Sequence, residues 1–133
     1  LGVPADGAKP KLTERYAQLW ELCGRLMQGM ACEFQFSSVA VTKNFVASPH
    51  CDMGDKTFQY AISLGDFTDG GELCVESSPQ QVVVVNTKNR LAKVDGRYPH
   101  WVSPFRGERY SLIFYRVTGQ TTPMERAVYA TAF

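Results

Sequence analysis

The sequence predicts one mainly β domain with a single N-terminal helix, arranged as a sandwich or jelly-roll barrel with the helix packed outside. Three observations carry this expectation. Only residues 11–30 repeat their apolar side chains at steps of three and four. From residue 33 onward, short runs rich in Val, Phe, Tyr and Ile follow one another at close spacing, separated by Gly, Asp and Asn turns. A chain of 133 residues is long enough to bury one core without disulfides.

Residues 1–10 carry Gly2, Pro4, Gly7 and Pro10 and read as an extended arm. Over 11–30, Leu12, Tyr16, Leu19, Trp20, Cys23, Leu26, Met27 and Met30 form one stripe, with Glu14, Arg15, Gln18, Glu21 and Arg25 on the other side. Pro10 and Gly29 suit the two helix boundaries. Strand-like runs follow at Glu33–Ser48, with Val39 and Val41 in alternation, and at Thr57–Phe67. Asp69-Gly70-Gly71 is a turn and Glu72–Glu76 a short strand. Gln80–Val85 holds four consecutive valines, the pattern of a strand buried on both faces. Asn86–Asn89 turns the chain, Arg90–Val94 continues it, and Asp95-Gly96 turns it again. Arg109–Val117 is the last strong strand run, and no element is predicted for the final ten residues.

Composition excludes several classes. A net charge of +1 argues against a broad basic face gripping nucleic acid through its phosphates. No apolar run approaches the roughly 20 residues that span a bilayer, and no basic-then-apolar leader is visible, so no membrane is expected. Cys23, Cys32, Cys51 and Cys74 match no zinc or disulfide spacing and read as reduced thiols. An intracellular location, nuclear or cytoplasmic, and a monomer are the expectations.

The chain has two histidines. His50 is followed by Cys51 and Asp52. On a strand, positions i and i+2 share a face, so His50 and Asp52 would project inward and Cys51 outward. One imidazole and one carboxylate make two-thirds of a facial two-histidine, one-carboxylate site. Such a site holds iron(II) on one side and leaves the opposite positions open. His100 follows the Asp95-Gly96 turn, and Arg109 and Ser111 then share one strand face. A guanidinium binds a carboxylate through two parallel hydrogen bonds, and a serine hydroxyl adds a donor. The order is a metal pair, a third ligand and a carboxylate anchor.

His50-Cys51-Asp52, then His100, then Arg109-Tyr110-Ser111 resemble the H-x-D … H … R-x-S signature of the Fe(II)/2-oxoglutarate-dependent dioxygenases, over about residues 33–117. The resemblance implies a double-stranded β-helix, a squashed jelly-roll barrel, over 33–117, with 1–10 as an arm and 11–30 as a packing helix in a single oxygenase domain. It implies His50, Asp52 and His100 as Fe(II) ligands and catalytic centre. It implies Arg109, helped by Ser111, on the far carboxylate of 2-oxoglutarate, with O2 as the other co-substrate and hydroxylation of a C–H bond as the reaction. The interval from His100 to Arg109 is short for the commonest pattern, which leaves Arg106 as a rival anchor.

Longer stretches, Ser63-Leu64-Gly65-Asp66-Phe67 with Gly70-Gly71-Glu72-Leu73, and Asp95 through His100 to Leu112, resemble oxygenase domains common in algae and other unicellular eukaryotes. Those are similar to the TET/JBP branch, which oxidises the methyl group of 5-methylcytosine or thymine in DNA. This second resemblance implies a flipped, modified nucleobase as substrate. It implies Asp55 as a contact to base or co-substrate, and ascorbate as reductant or as co-substrate in place of 2-oxoglutarate.

Other uses of the same residues stay open. Asp55 suits a solvated loop acid equally well. Arg97 and Arg106 flank the His100 segment and are candidates for a phosphate or carboxylate contact, although surface charge is the commoner fate. Trp101 and Tyr98 offer faces for stacking on a base, or for packing. A protein side chain or small metabolite is the alternative substrate. A non-catalytic jelly-roll binding module is the alternative of another class.

Overall fold

The computed structural model describes residues 1–2, 11–31, 33–126 and 129–132, the last four as backbone alone. Most of the predicted arm at 1–10 lies outside the described residues, as does Cys32. Leu1 and Gly2 are described: Gly2 bridges Ser38, and the Val39 N–H donates to the Leu1 carbonyl at 2.6 Å.

The predicted helix divides into α1 (Lys11–Arg15) and α2 (Ala17–Met30). Tyr16 sits between them at φ −116° and ψ 40°, yet the Tyr16 N–H to Leu12 O and Trp20 N–H to Tyr16 O bonds, both 3.0 Å, carry the ladder across. Among the described residues only α2 packs on the core, while α1 is tied to the chain start through Thr13, which bonds Gly2. Cys23 and Met27 are buried in a cluster with Val39, Ile62, Leu91 and Phe114, flanked by Leu19, Trp20, Leu26 and Met30. Leu12 and Tyr16, which continue the same stripe, are exposed.

Eight strands follow among the described residues: β1 (Ser38–Lys43), β2 (Gln59–Gly65), β3 (Leu73–Ser78), β4 (Gln81–Val85), β5 (Arg90–Val94), β6 (His100–Val102), β7 (Arg109–Tyr115) and β8 (Tyr129–Ala132). They form two antiparallel sheets: five strands in the order β1-β7-β2-β5-β8, and three in the order β4-β3-β6. Among the described residues these are two separate ladders, and no closed barrel is formed. β8 falls where the sequence predicted no element, and β6 within a stretch it left unassigned. The four valines belong to an edge strand rather than to a strand buried on both faces. Among the described residues β4 pairs only with β3, and Val82 and Val84 are 48% and 62% exposed. An apolar run shows that a strand is favoured, but not how many neighbours it has.

The period-two alternation of the central strands sets the layers. Phe114, fully buried on β7, and Val39 on β1 face α2. Arg109, Ser111, Ile113 and Tyr115 on β7, Gln59, Ala61 and Ser63 on β2, and Ala40 and Thr42 on β1 line a cavity on the other side. Leu73, His100 and Val102 line it from the smaller sheet. A second apolar cluster of Ala61, Leu73, Val75, Val85, Ala92 and Val94 ties the two sheets together.

Candidate metal centre and its cavity

Gly-rich turns fix the loops around this cavity. At Asp69-Gly70-Gly71 all three residues have positive φ, which glycine adopts without strain. The chain between β1 and β2 is irregular, so His50 and Asp52 do not share a strand face as predicted. What joins the histidines is an isolated antiparallel bridge. The His50 N–H donates to His100 O at 3.1 Å, and the His100 N–H donates back to His50 O at 2.9 Å. Residues paired this way project their side chains on the same side, and the two imidazole centroids lie 4.3 Å apart. Asp52 is tied separately, its N–H donating to Gly96 O at 2.8 Å.

The three side chains converge. Asp52 Oδ1 lies 3.5 Å from His50 Nε2, and Asp52 Oδ2 lies 3.3 Å from His100 Nε2. One donor atom from each residue falls within 4.8 Å of the others. Both Nδ1 atoms face backbone carbonyls, His50 to Ser48 O at 2.7 Å and His100 to Tyr98 O at 2.9 Å. A carbonyl only accepts, so each Nδ1 carries a proton, which leaves Nε2 as the ring nitrogen directed at Asp52 and the one that a metal would take. Two imidazole nitrogens and a carboxylate fit a divalent transition metal such as iron(II).

Burial disfavours a charged His100. Its contacts to the Asp52 carboxylate and the Tyr98 carbonyl outweigh this and raise its pKa above the usual value. Asp55, on the same cavity wall, is pushed up to about 7, first by burial and then by the neighbouring Asp52 charge. One of its oxygens, Oδ2, is buried without a hydrogen-bond partner.

Arg109 opens β7, between β1 and β2, and is 4% exposed. Its Nε donates to Gly71 O at 3.2 Å and an Nη donates to Ser63 Oγ at 3.0 Å. The guanidinium lies 5.4 Å from the Phe67 ring centroid and 5.7 Å from that of Phe105. No carboxylate pairs with it among the described residues, and burial lowers its pKa. Ser111 hydrogen-bonds Thr42, and Ser63 bonds Thr87. The cavity joining this cation to the His-Asp-His group measures about 500 Å³, within the range of small-molecule sites.

The remaining sequence candidates lie elsewhere. Arg106 is a surface residue, its side chain 85% exposed and 3.9 Å from Asp69. Its backbone is fixed in a bridge to Thr68, and that directs the side chain away from the cavity. Arg97 grips Asp95 through Nε and an Nη at 2.8 and 2.7 Å and donates to Thr122 O and Pro123 O. Those bonds take four of its five guanidinium N–H groups, two of them holding residues 122 and 123. Burial pushes the Asp95 carboxyl up, but the Arg97 bonds and the Glu125 N–H together outweigh it and keep that carboxyl below its usual pKa. Trp101 alternates with His100 on β6 and is absent from the cavity wall. Sequence reasoning missed Gln59, Ser63, Thr42 and Thr87. The parity of 59, 61 and 63 on β2 was the available signal for the first two.

No family model matches the chain, and no curated protein does. Among solved structures, an oxidoreductase of the 2OG-Fe(II) oxygenase family from Burkholderia pseudomallei is similar in fold, with a TM-score of 0.59 and 23% sequence identity. The match covers 79% of this chain, which spans 58% of that protein. No helix among the described residues is long and apolar enough to cross a membrane.

Proposed function

We propose that this domain is an Fe(II)- and 2-oxoglutarate-dependent dioxygenase that hydroxylates a C–H bond. One observation carries the reading: two imidazoles that direct Nε2 at one carboxylate converge with it on the same cavity as a buried arginine that has no anionic partner among the described residues. The fold shared with the bacterial oxygenase supports it. In this reading His50, Asp52 and His100 hold the metal on one face. The chemistry that iron(II) supplies in such a site is activation of O2, which puts one oxygen atom into the substrate C–H bond while 2-oxoglutarate goes to succinate and carbon dioxide. Arg109 receives the far carboxylate of the co-substrate, and its bonds to Gly71 and Ser63 fix its plane beforehand. Ser111 supplies a further hydroxyl. The apolar side chains of Ile113, Ala61 and Val102 limit water in the inner cavity.

Within this reading the substrate is a modified nucleobase such as 5-methylcytosine or thymine. The support is the TET/JBP-like wording of residues 63–73 and 95–112. Ascorbate serves as reductant, or as co-substrate against Asp55. A second reading, a protein side chain or small metabolite, is favoured by the outer cavity, where Phe45, Met53 and Val117 are exposed and uncharged. The test is turnover of iron(II)-loaded protein with 2-oxoglutarate or ascorbate on methylated DNA, RNA, peptide and metabolite pools. The expected result is succinate formed with an oxidised nucleobase. Iron binding left unchanged by His50→Ala, Asp52→Ala and His100→Ala would overturn the reading.

A further inference from the structure

Gln59 begins β2 on the cavity face and is 3% exposed. Its Nε2 donates to Asp52 Oδ2 at 3.3 Å, while its Oε1 is buried with no partner. Orphaning a buried amide oxygen is unfavourable, and a methionine of similar shape would avoid it. The orientation is nonetheless fixed, because turning the amide over would set its oxygen against a carboxylate. Gly96 makes room for the contact. A Cβ there would press on Gln59 Nε2 and stand 2.7 Å from Asp52 Oδ2. The same glycine's carbonyl receives the Asp52 N–H.

We infer that Gln59, accommodated by the missing side chain of Gly96, is a positioning residue that engages one Asp52 oxygen so that the carboxylate meets the metal through the other alone. The inference rests on the iron site proposed above. A carboxylate free at both oxygens can take two coordination positions, and a facial site needs its remaining positions for co-substrate and oxygen. Gln59 touches neither of those ligands. It acts through Asp52, as hydrogen-bond partners of metal ligands do elsewhere.

The experiment compares wild type with Gln59→Met by chelator competition for Fe(II), by the visible spectrum of the Co(II)-loaded protein, and by thermal melting of the metal-free protein. Fe(II) affinity is expected to fall about tenfold and the Co(II) bands to shift, with metal-free melting no lower than wild type. Gly96→Ala attacks the same contact from the other side, without a positive φ to strain, and is expected to shift the Co(II) bands likewise. It answers the question if Gln59→Met does not fold. Unchanged affinity with an unchanged Co(II) spectrum in a folded variant overturns the inference and leaves the iron site standing. Wild type that binds no Fe(II) overturns both.

Discussion

At the metal end of the cavity, His50 is exposed and Asp52 half-buried, on irregular backbone held by one bridge and a few carbonyl bonds. At the other end, Arg109 and Ser111 are buried in β7, flanked by β1 and β2 in full register. The first end gathers lone pairs and a carboxylate around a point where a cation belongs. The second immobilises a cation whose desolvation no anion among the described residues offsets. Rigid strands can hold such an unfavourable group in place, whereas loop residues give the coordination sphere freedom to adjust.

Substitutions sharpen this contrast. The largest effect is expected at the metal end. His100→Ala should weaken Fe(II) binding by about a thousandfold or more, and His50→Ala should do so with the fold intact, because His50 is exposed. Chelator competition and circular dichroism check both. An ion retained at wild-type affinity by His50→Ala would break the assignment.

Next comes Arg109→Leu. Affinity for 2-oxoglutarate in the iron-loaded protein is expected to drop about a hundredfold, as for a buried charge pair that loses one partner. Melting of the ligand-free protein should not fall, because a buried, uncompensated charge has been removed. Calorimetric titration and thermal melts test the two halves. A wild-type affinity would assign the co-substrate elsewhere.

A third, smaller effect is set by pH in the metal-free protein. Asp55 has a folded pKa of about 7, above its ordinary 3.8, so the fold favours its protonated form. Its contribution to stability is complete below the unfolded value and is lost as pH rises through about 7. The raised pKa of His100 acts in the same direction. Denaturant midpoints should therefore fall between pH 5 and pH 8, and Asp55→Asn should remove a large part of that fall, on the order of 2 kcal/mol. A profile unaltered by Asp55→Asn would refute this account. The smallest effect is expected for Arg106→Ala. Its exposed side chain predicts a stability change within about 0.5 kcal/mol and an unchanged 2-oxoglutarate affinity.

Much of this was legible from residue order because it depends on local periodicity. The α2 stripe and the alternation in β1 and β7 follow from steps of four, three and two along the chain. The pairing of Arg109 with Ser111 on one face needed only that β7 be a strand. Edge position, by contrast, is a property of the sheet, and so β4 was misread.

What the sequence by itself determined is the class of elements and the chemistry available: a helix before many short strands, two histidines, an H-x-D pair and an R-x-S pair. Only the tertiary structure decided which groups meet. The bridge between His50 and His100 spans fifty positions and exists because the irregular segment after β1 is laid antiparallel against β6. It also withdrew Arg97 into a salt bridge with Asp95, left Arg106 in solvent, and set Gln59 against Asp52 across the space that Gly96 leaves. Period and propensity act over a few residues, whereas ligand geometry depends on which strands become neighbours.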